Sequence, residues 1–207
     1  LAVAWAGALS AFSQEAGVRE AASPDGEFLF KYDNADPESP YAIYSKATGK
    51  VVMKAPEETL TSFVNSVKCL WAPDSKCFAL NFQAGGRYET ALVYRRDGKT
   101  FAGLPSFEEM LAAELEVEKA RDMKKQGIKA DAYQRRIWDC FKVRRWIDGR
   151  TMEVDACSVR TVMLKEDEFA EVSGSLRFQI QQDKKGKWRI LKREPVKIEE
   201  MEDKGGE

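Results

Sequence analysis

The sequence predicts a mainly β fold assembled from repeated antiparallel hairpins, with one amphipathic helix inserted at about residues 105–126. Two stretches carry most of that expectation. Ser23-Pro24-Asp25-Gly26 and Ala72-Pro73-Asp74-Ser75 each set a Pro-Asp turn directly before an apolar run, Phe28-Leu29-Phe30 in the first case and Cys77-Phe78-Ala79-Leu80 in the second. Pro24 and Pro73 stand 49 residues apart, a spacing at which self-similarity signals stacked structural units. The third observation is a matching pair of tight turns, Thr48-Gly49-Lys50 and Asp97-Gly98-Lys99, each between apolar runs. Asp-Gly is a strong hairpin signal because such turns need positive φ.

The elements follow in chain order. Residues 1–13 are apolar, too short to cross a bilayer, and end in Ala11-Phe12-Ser13, a small-x-small cleavage pattern before Gln14. They match the remnant of a secretory signal peptide; a buried N-terminal helix is the alternative. Residues 14–22 are expected to be a flexible lead-in, 23–198 a single β-rich domain with a helical insertion, and 199–207 a flexible tail. In the first unit, Glu27 to Tyr32, Tyr41 to Tyr44 and Val51 to Met53 have strand composition, separated by the turn-forming run at 33–40. The second unit repeats the plan with Ser66 to Trp71, Cys77 to Phe82, Thr90 to Tyr94 and a short strand at Thr100-Phe101.

The helix is expected from Phe107, Leu111 and Leu115 at four-residue spacing, from a capping box of Ser106 with Glu109, and from Gly127 as its C-terminal stop. Beyond it, Ile137 to Trp146 and Thr151 to Ala156 alternate as strands around Ile147-Asp148-Gly149. Ser175 to Gln181 and Lys187 to Lys192 form a last hairpin around residues 183–186.

The recurring order of an apolar strand, Trp71-Ala72-Pro73-Asp74-Ser75, a second apolar strand, and an aliphatic-aromatic strand running into Thr-Gly-Lys or Asp-Gly-Lys resembles the β-propeller repeats of the TolB type, over residues 23–101. The resemblance implies four-stranded blades and a binding or scaffolding role, usually in the bacterial periplasm. A closed ring needs at least four blades of about 40–45 residues each, and the helix occupies sequence that a blade would need. The expectation is therefore a partial or degenerate propeller with the helix covering an exposed sheet edge or face.

Four cysteines in an exported chain suggest disulfides. Cys69 and Cys77 flank the 71–75 turn, and Cys140 and Cys157 flank the 147–149 turn, so the expected pairs are Cys69–Cys77 and Cys140–Cys157, with four free thiols as the alternative.

Chemistry is constrained by what the sequence lacks. It contains no histidine, which removes the commonest general base and the commonest zinc ligand, and it carries no nucleotide fingerprint, Walker loop or serine elbow. No cofactor and no metal site is expected. With 33 basic and 34 acidic residues the net charge is −1, so no global field favours nucleic acid or an anionic membrane. Arginines around Trp138, Phe141 and Trp146 superficially suggest a single-strand nucleic-acid platform. Alternation instead places Cys140, Lys142 and Arg144 on one strand face and Phe141, Val143 and Arg145 on the other, so the aromatics read as core and no nucleic-acid partner is expected.

Clustered acids, Asp33 with Asp36 and Glu166, Asp167 and Glu168, could serve calcium or acid–base chemistry but read as solvated loops. The candidate binding site is the Ala84-Gly85-Gly86 loop with Arg87, Tyr88 and Glu89, residue types that dominate interface hot spots, although they could equally decorate a hairpin. The function expected is an exported, non-enzymatic binding or scaffold protein, periplasmic or secreted, presenting loops to a protein or glycan partner. The mature chain is expected to lack a transmembrane span, and open sheet edges could support an oligomer. The alternative is a histidine-free hydrolase or lyase using clustered acids.

Overall fold

The computed structural model describes residues 20–32, 41–59, 67–165, 168–183 and 185–201. The expected leader and the acidic pairs at 33/36 and 166/167 lie outside these residues. The described chain is mainly β, with one α-helix and no closed barrel. It forms three successive four-stranded antiparallel meanders. The first comprises β1 (Glu20–Ala22), β2 (Phe28–Tyr32), β3 (Tyr41–Ser45) and β4 (Val51–Lys54), paired in that order. The second comprises β5 (Lys68–Trp71), β6 (Cys77–Gly85), β7 (Tyr88–Asp97) and β8 (Thr100–Gly103). After helix α1 (Glu108–Lys125) the third comprises β9 (Gln134–Trp146), β10 (Thr151–Lys165), β11 (Glu168–Gln182) and β12 (Trp188–Pro195).

The 49-residue repeat is the relation between the first two meanders, which stack face to face. Trp71 Nε1–H donates to the Ala21 carbonyl at 3.0 Å, and the Asp25 N–H donates to Ser75 Oγ at 2.9 Å, so the two Pro-Asp turns touch. Between the sheets lie Phe28, Phe30, Tyr41 and Ile43 from one side and Phe78, Leu80, Phe82 and Phe101 from the other. Phe101 meets both Phe28 and Phe78 edge-on, with ring centroids 5.0 Å apart in each case, the arrangement the ring quadrupole favours.

The third meander does not stack as a further layer. It joins the second edge to edge through a short parallel contact, Tyr88 opposite Asp139 and Glu89 opposite Cys140. Past that contact β9 leaves β7 and crosses toward β6 and β5. Asn81 there takes the place of a strand partner: its side chain donates to the Val143 carbonyl at 2.7 Å and accepts the Val143 N–H at 3.0 Å. Trp146 Nε1–H then reaches the Leu70 carbonyl at 2.9 Å.

Helix α1 lies in the resulting concavity. Phe107, Leu111 and Leu115 pack with Phe141, Val143, Val154 and Phe178 into the second core. Contact is close because of Gly174 on β11, where an added Cβ would stand 2.5 Å from the Leu115 carbonyl oxygen. The helix ends in a Schellman motif: Ile128 N–H donates to Met123 O at 2.9 Å and Gly127 N–H to Lys124 O at 3.2 Å, with Gly127 at φ +71°. The start differs from the expected capping box. Ser106 Oγ accepts the Glu108 N–H at 3.2 Å, while Glu108, one residue before the expected Glu109, takes the side-chain role described below.

Other boundaries move for identifiable reasons. Glu20–Ala22, expected in a flexible lead-in, is the edge strand β1, held by pairing with residues 29–31 of β2. Part of the expected tail is ordered: Ile198–Glu200 form a 3₁₀ turn and Met201 is buried over Cys140 and Cys157.

The expected pairing of Cys69 with Cys77 requires correction. All four are free thiols. The β5–β6 register closes with Trp71 opposite Phe78, which sets Cys69 opposite Leu80 rather than Cys77. Cys69 packs against the aromatic core and Cys77 lies in the helix core, on opposite sides of the sheet. Cys140 and Cys157 do face each other across β9 and β10 as unbridged thiols. The hydrogen bond between them, together with burial, raises the Cys140 thiol far above its ordinary range.

Simple alternation also fails at Arg145. The β9–β10 register slips between Glu153 and Val154, so Arg144 is an extra residue. Arg145 therefore pairs with Glu153 on the face away from Phe141 and Val143, and Trp146 returns to the core.

Candidate functional site

The three residues proposed from the sequence for the 84–89 loop are separated by the structure. β6 runs to Gly85 and β7 begins at Tyr88, so the turn is only two residues long. Arg87 sits at that turn and donates to the Arg136 carbonyl at 3.2 Å. Tyr88 points inward. Its hydroxyl donates to Glu108, its ring meets Phe141 edge-on, and burial followed by the Glu108 bond raises its pKa well above the ordinary tyrosine value. Glu89 pairs with Lys142 at 3.6 Å. Pairing with β9 draws Tyr88 and Glu89 into the sheet and leaves Arg87 at the turn.

A large cavity lies elsewhere, at the end of the molecule where four hairpin turns converge. It is a cleft of about 1250 Å³, bounded by the β5–β6 turn at Asp74, the β7–β8 turn at Gly98, the β9–β10 turn at 148–150 and the β11–β12 turn at Asp183. Two turns are wedged together: a methyl group at Gly149 would collide with the Asp74 carboxylate. Among the described residues five basic side chains and three carboxylates line the cleft, and no aromatic ring does.

The carboxylates are turn formers. Asp74 Oδ1 accepts the Lys76 N–H at 3.0 Å. Asp148 Oδ1 accepts the N–H groups of Arg150 and Thr151 at 2.7 and 2.8 Å, and Asp183 Oδ1 those of Lys185 and Lys187 at 2.8 and 2.9 Å. These are Asx-type bonds, the reason Asp recurs in such turns. Partial burial works to raise the Asp148 pKa, but the N–H bonds outweigh it, so the carboxyl is held below its ordinary value.

The cations divide into two kinds. Arg96 is a clamp: it binds Glu27 at 2.7 Å, donates to Gly98 O at 3.1 Å, and lies 4.7 Å over the Phe28 ring, tying the two stacked meanders together. Arg95 and Arg189 are aimed by neutral groups. Arg95 donates to the amide oxygen of the buried Gln182, which is fixed in turn through Gly186 O at 3.0 Å. Arg95 also hydrogen-bonds the Cys77 thiol, which burial nevertheless raises above its ordinary value. Arg189 donates to the amide oxygen of Gln181, which is anchored on Thr151 Oγ1 at 3.0 Å. A glutamine orients a guanidinium without cancelling its charge, whereas the Asp155–Arg177 pair on the same sheet is a neutralised, two-point bridge at 2.6 and 3.1 Å. The cleft thus presents two positioned positive charges, with Lys76 and Arg150 also in its wall.

Sequence reasoning missed these residues because Arg95, Gln181, Gln182 and Arg189 belong to two different hairpins, and only the convergence of their turns makes them neighbours. Among the described residues no group of three or more Cys, Asp or Glu side chains is placed to hold a metal ion, and no helix is long and apolar enough to cross a membrane. No protein-family model and no curated protein matches the chain.

Proposed function

We propose that the chain is an exported, non-enzymatic binding or scaffold protein of degenerate propeller type, whose turn-end cleft takes an acidic partner, a carboxylated or sulfated glycan or an acidic protein segment. The observation that carries the reading is the pair Arg95 and Arg189, each held by a glutamine and therefore still positive toward the cleft. The absence of aromatic rings from the cleft wall favours anionic groups over a neutral sugar, which is commonly held by stacking. Binding is favoured over acid–base chemistry because the three cleft acids are committed to backbone N–H groups, and Asp148 is held toward staying ionised. Export rests on the apolar 1–13 segment with its small-residue cleavage pattern, and relation to TolB-type repeats on the 49-residue recurrence of the Pro-Asp turn.

Equilibrium binding to sulfated oligosaccharides and to poly-glutamate, with poly-lysine and a neutral glucan as controls, tests the proposal. Acidic probes are expected to bind with affinity that falls as salt rises, and the Arg95→Gln/Arg189→Gln variant is expected to lose about tenfold or more, since a hydrogen bond to a charged group contributes about 1.5–3 kcal/mol. Binding unchanged in that variant would remove the cleft from the function.

A further inference from the structure

At the opposite end of the long β10–β11 hairpin a second surface has a different character. The three most exposed large hydrophobic side chains among the described residues, Tyr133 at 70%, Phe169 at 61% and Met163 at 49%, all border one hollow of about 630 Å³. Met163 and Phe169 stand directly opposite each other across β10 and β11. Single exposed apolar residues are ordinary, but aromatic and thioether side chains gathered in one concavity mark an interaction surface.

The rim of this hollow is basic. Among the described lining residues Arg87, Arg135 and Arg136 are charged and none is a carboxylate, and Glu171 is the cross-strand partner of Thr161. Arg136 is shared with Asp139 at 3.0 Å, and Arg87 is steadied by a backbone carbonyl rather than by an acid. Arg135 is registered opposite Thr161, beside the Met163–Phe169 pair. Tyr, Phe, Met and Arg are the residue types enriched at interface centres, where apolar side chains supply buried area and guanidiniums supply direction.

We infer that this end of the hairpin docks an extended acidic segment of a partner protein, one that sets a large apolar side chain on Tyr133, Met163 and Phe169 and its carboxylates on Arg87 and Arg135. The surface is distinct from the turn-end cleft, lying at the other end of the 15-residue strand β10.

Fluorescence anisotropy on the full chain tests it, using a labelled peptide with a single Phe flanked by Asp and Glu, the same peptide with Lys in place of the acids, and oligothymidylate of equal charge. The acidic peptide is expected to bind, and Phe169→Ser and Arg135→Glu are each expected to weaken it about tenfold or more. The measurement is made in the Arg95→Gln/Arg189→Gln background, which removes acidic-peptide binding by the cleft, and there Lys192→Gln, at a residue lining neither the cleft nor this hollow, should leave it unchanged. Both test positions are surface residues, so the fold is preserved, as circular dichroism would verify. The inference is overturned if the acidic peptide does not bind, if the lysine peptide or oligothymidylate binds as well or better, or if sedimentation shows a dimer that Phe169→Ser dissociates, which would make a second copy the occupant.

Discussion

Ser75 adopts φ +58° at the place where the first repeat has Gly26 at +72°. A non-glycine residue there is strained by about 1 kcal/mol, and the compensation is the Asp25 N–H bond to its hydroxyl. Two substitutions separate these effects. Ser75→Ala keeps the strain and loses the bond, so it is expected to lower stability by about 1–2 kcal/mol in urea denaturation. Ser75→Gly loses the bond but relieves the strain, and is expected to fall within about 1 kcal/mol of the parent. The turn itself was legible in Pro73-Asp74-Ser75. That the serine hydroxyl would hold the other repeat was not, because that bond spans 50 residues. Asp148 gives a pH signature at the same scale. Its folded pKa lies below the ordinary aspartate value of 3.8, so its stabilisation is fully present above that pH and is lost as pH falls through the lower folded value. Asp148→Asn keeps an acceptor oxygen but removes the charge, and should lower Tm at pH 7 while converging with the parent at low pH, so that its decline of Tm on acidification is shallower.

At the scale of elements, α1 and its glycines decide how deep the core is. The helix was legible because Phe107, Leu111 and Leu115 recur every fourth residue and Gly127 follows, and the structure buries all three and uses that glycine as expected. Gly174 was not legible. It sits in a strand, and only the crossing of α1 makes a side chain there intolerable. Gly174→Ala is expected to cost about 1–3 kcal/mol by lifting the helix from β11, and Gly127→Ala about 1 kcal/mol through the positive φ alone, both measurable as shifts in denaturation midpoint. The full length of β10 and β11 was underestimated as well. Thr151–Lys165 and Glu168–Gln182 are 15 residues each, and the stretch after Cys157 mixes arginine, threonine and methionine too evenly to show a buried face.

For the whole molecule, repetition revealed the first two meanders and could not reveal how the third attaches. The parallel contact between β7 and β9 involves two residue pairs and follows an intervening helix, so no local pattern announces it. The same holds for the cleft: each turn was recognisable by its Asp or Gly, and their meeting was a consequence of how the sheet curls. The exposed edge strand β12 carries Arg189, Lys192, Arg193 and Pro195, the charges and proline that discourage edge-to-edge association. Stacking of the first meander on the second depends on Trp71, which bonds Ala21 and packs against Phe28, Phe78 and Phe101. Trp71→Ala is expected to cost about 3 kcal/mol, and amide exchange should accelerate first in β1–β4 while β9–β11 remain protected.

The most direct measurement of anion recognition by the cleft is an NMR titration that follows arginine Nε–Hε resonances while a sulfated oligosaccharide is added at moderate salt. Arg95 and Arg189 are expected to shift and saturate together, with the Arg177 signal, closed by Asp155, staying still. A titration in which Arg95 and Arg189 do not move while arginines elsewhere do would contradict the assignment of the turn-end cleft as the binding site.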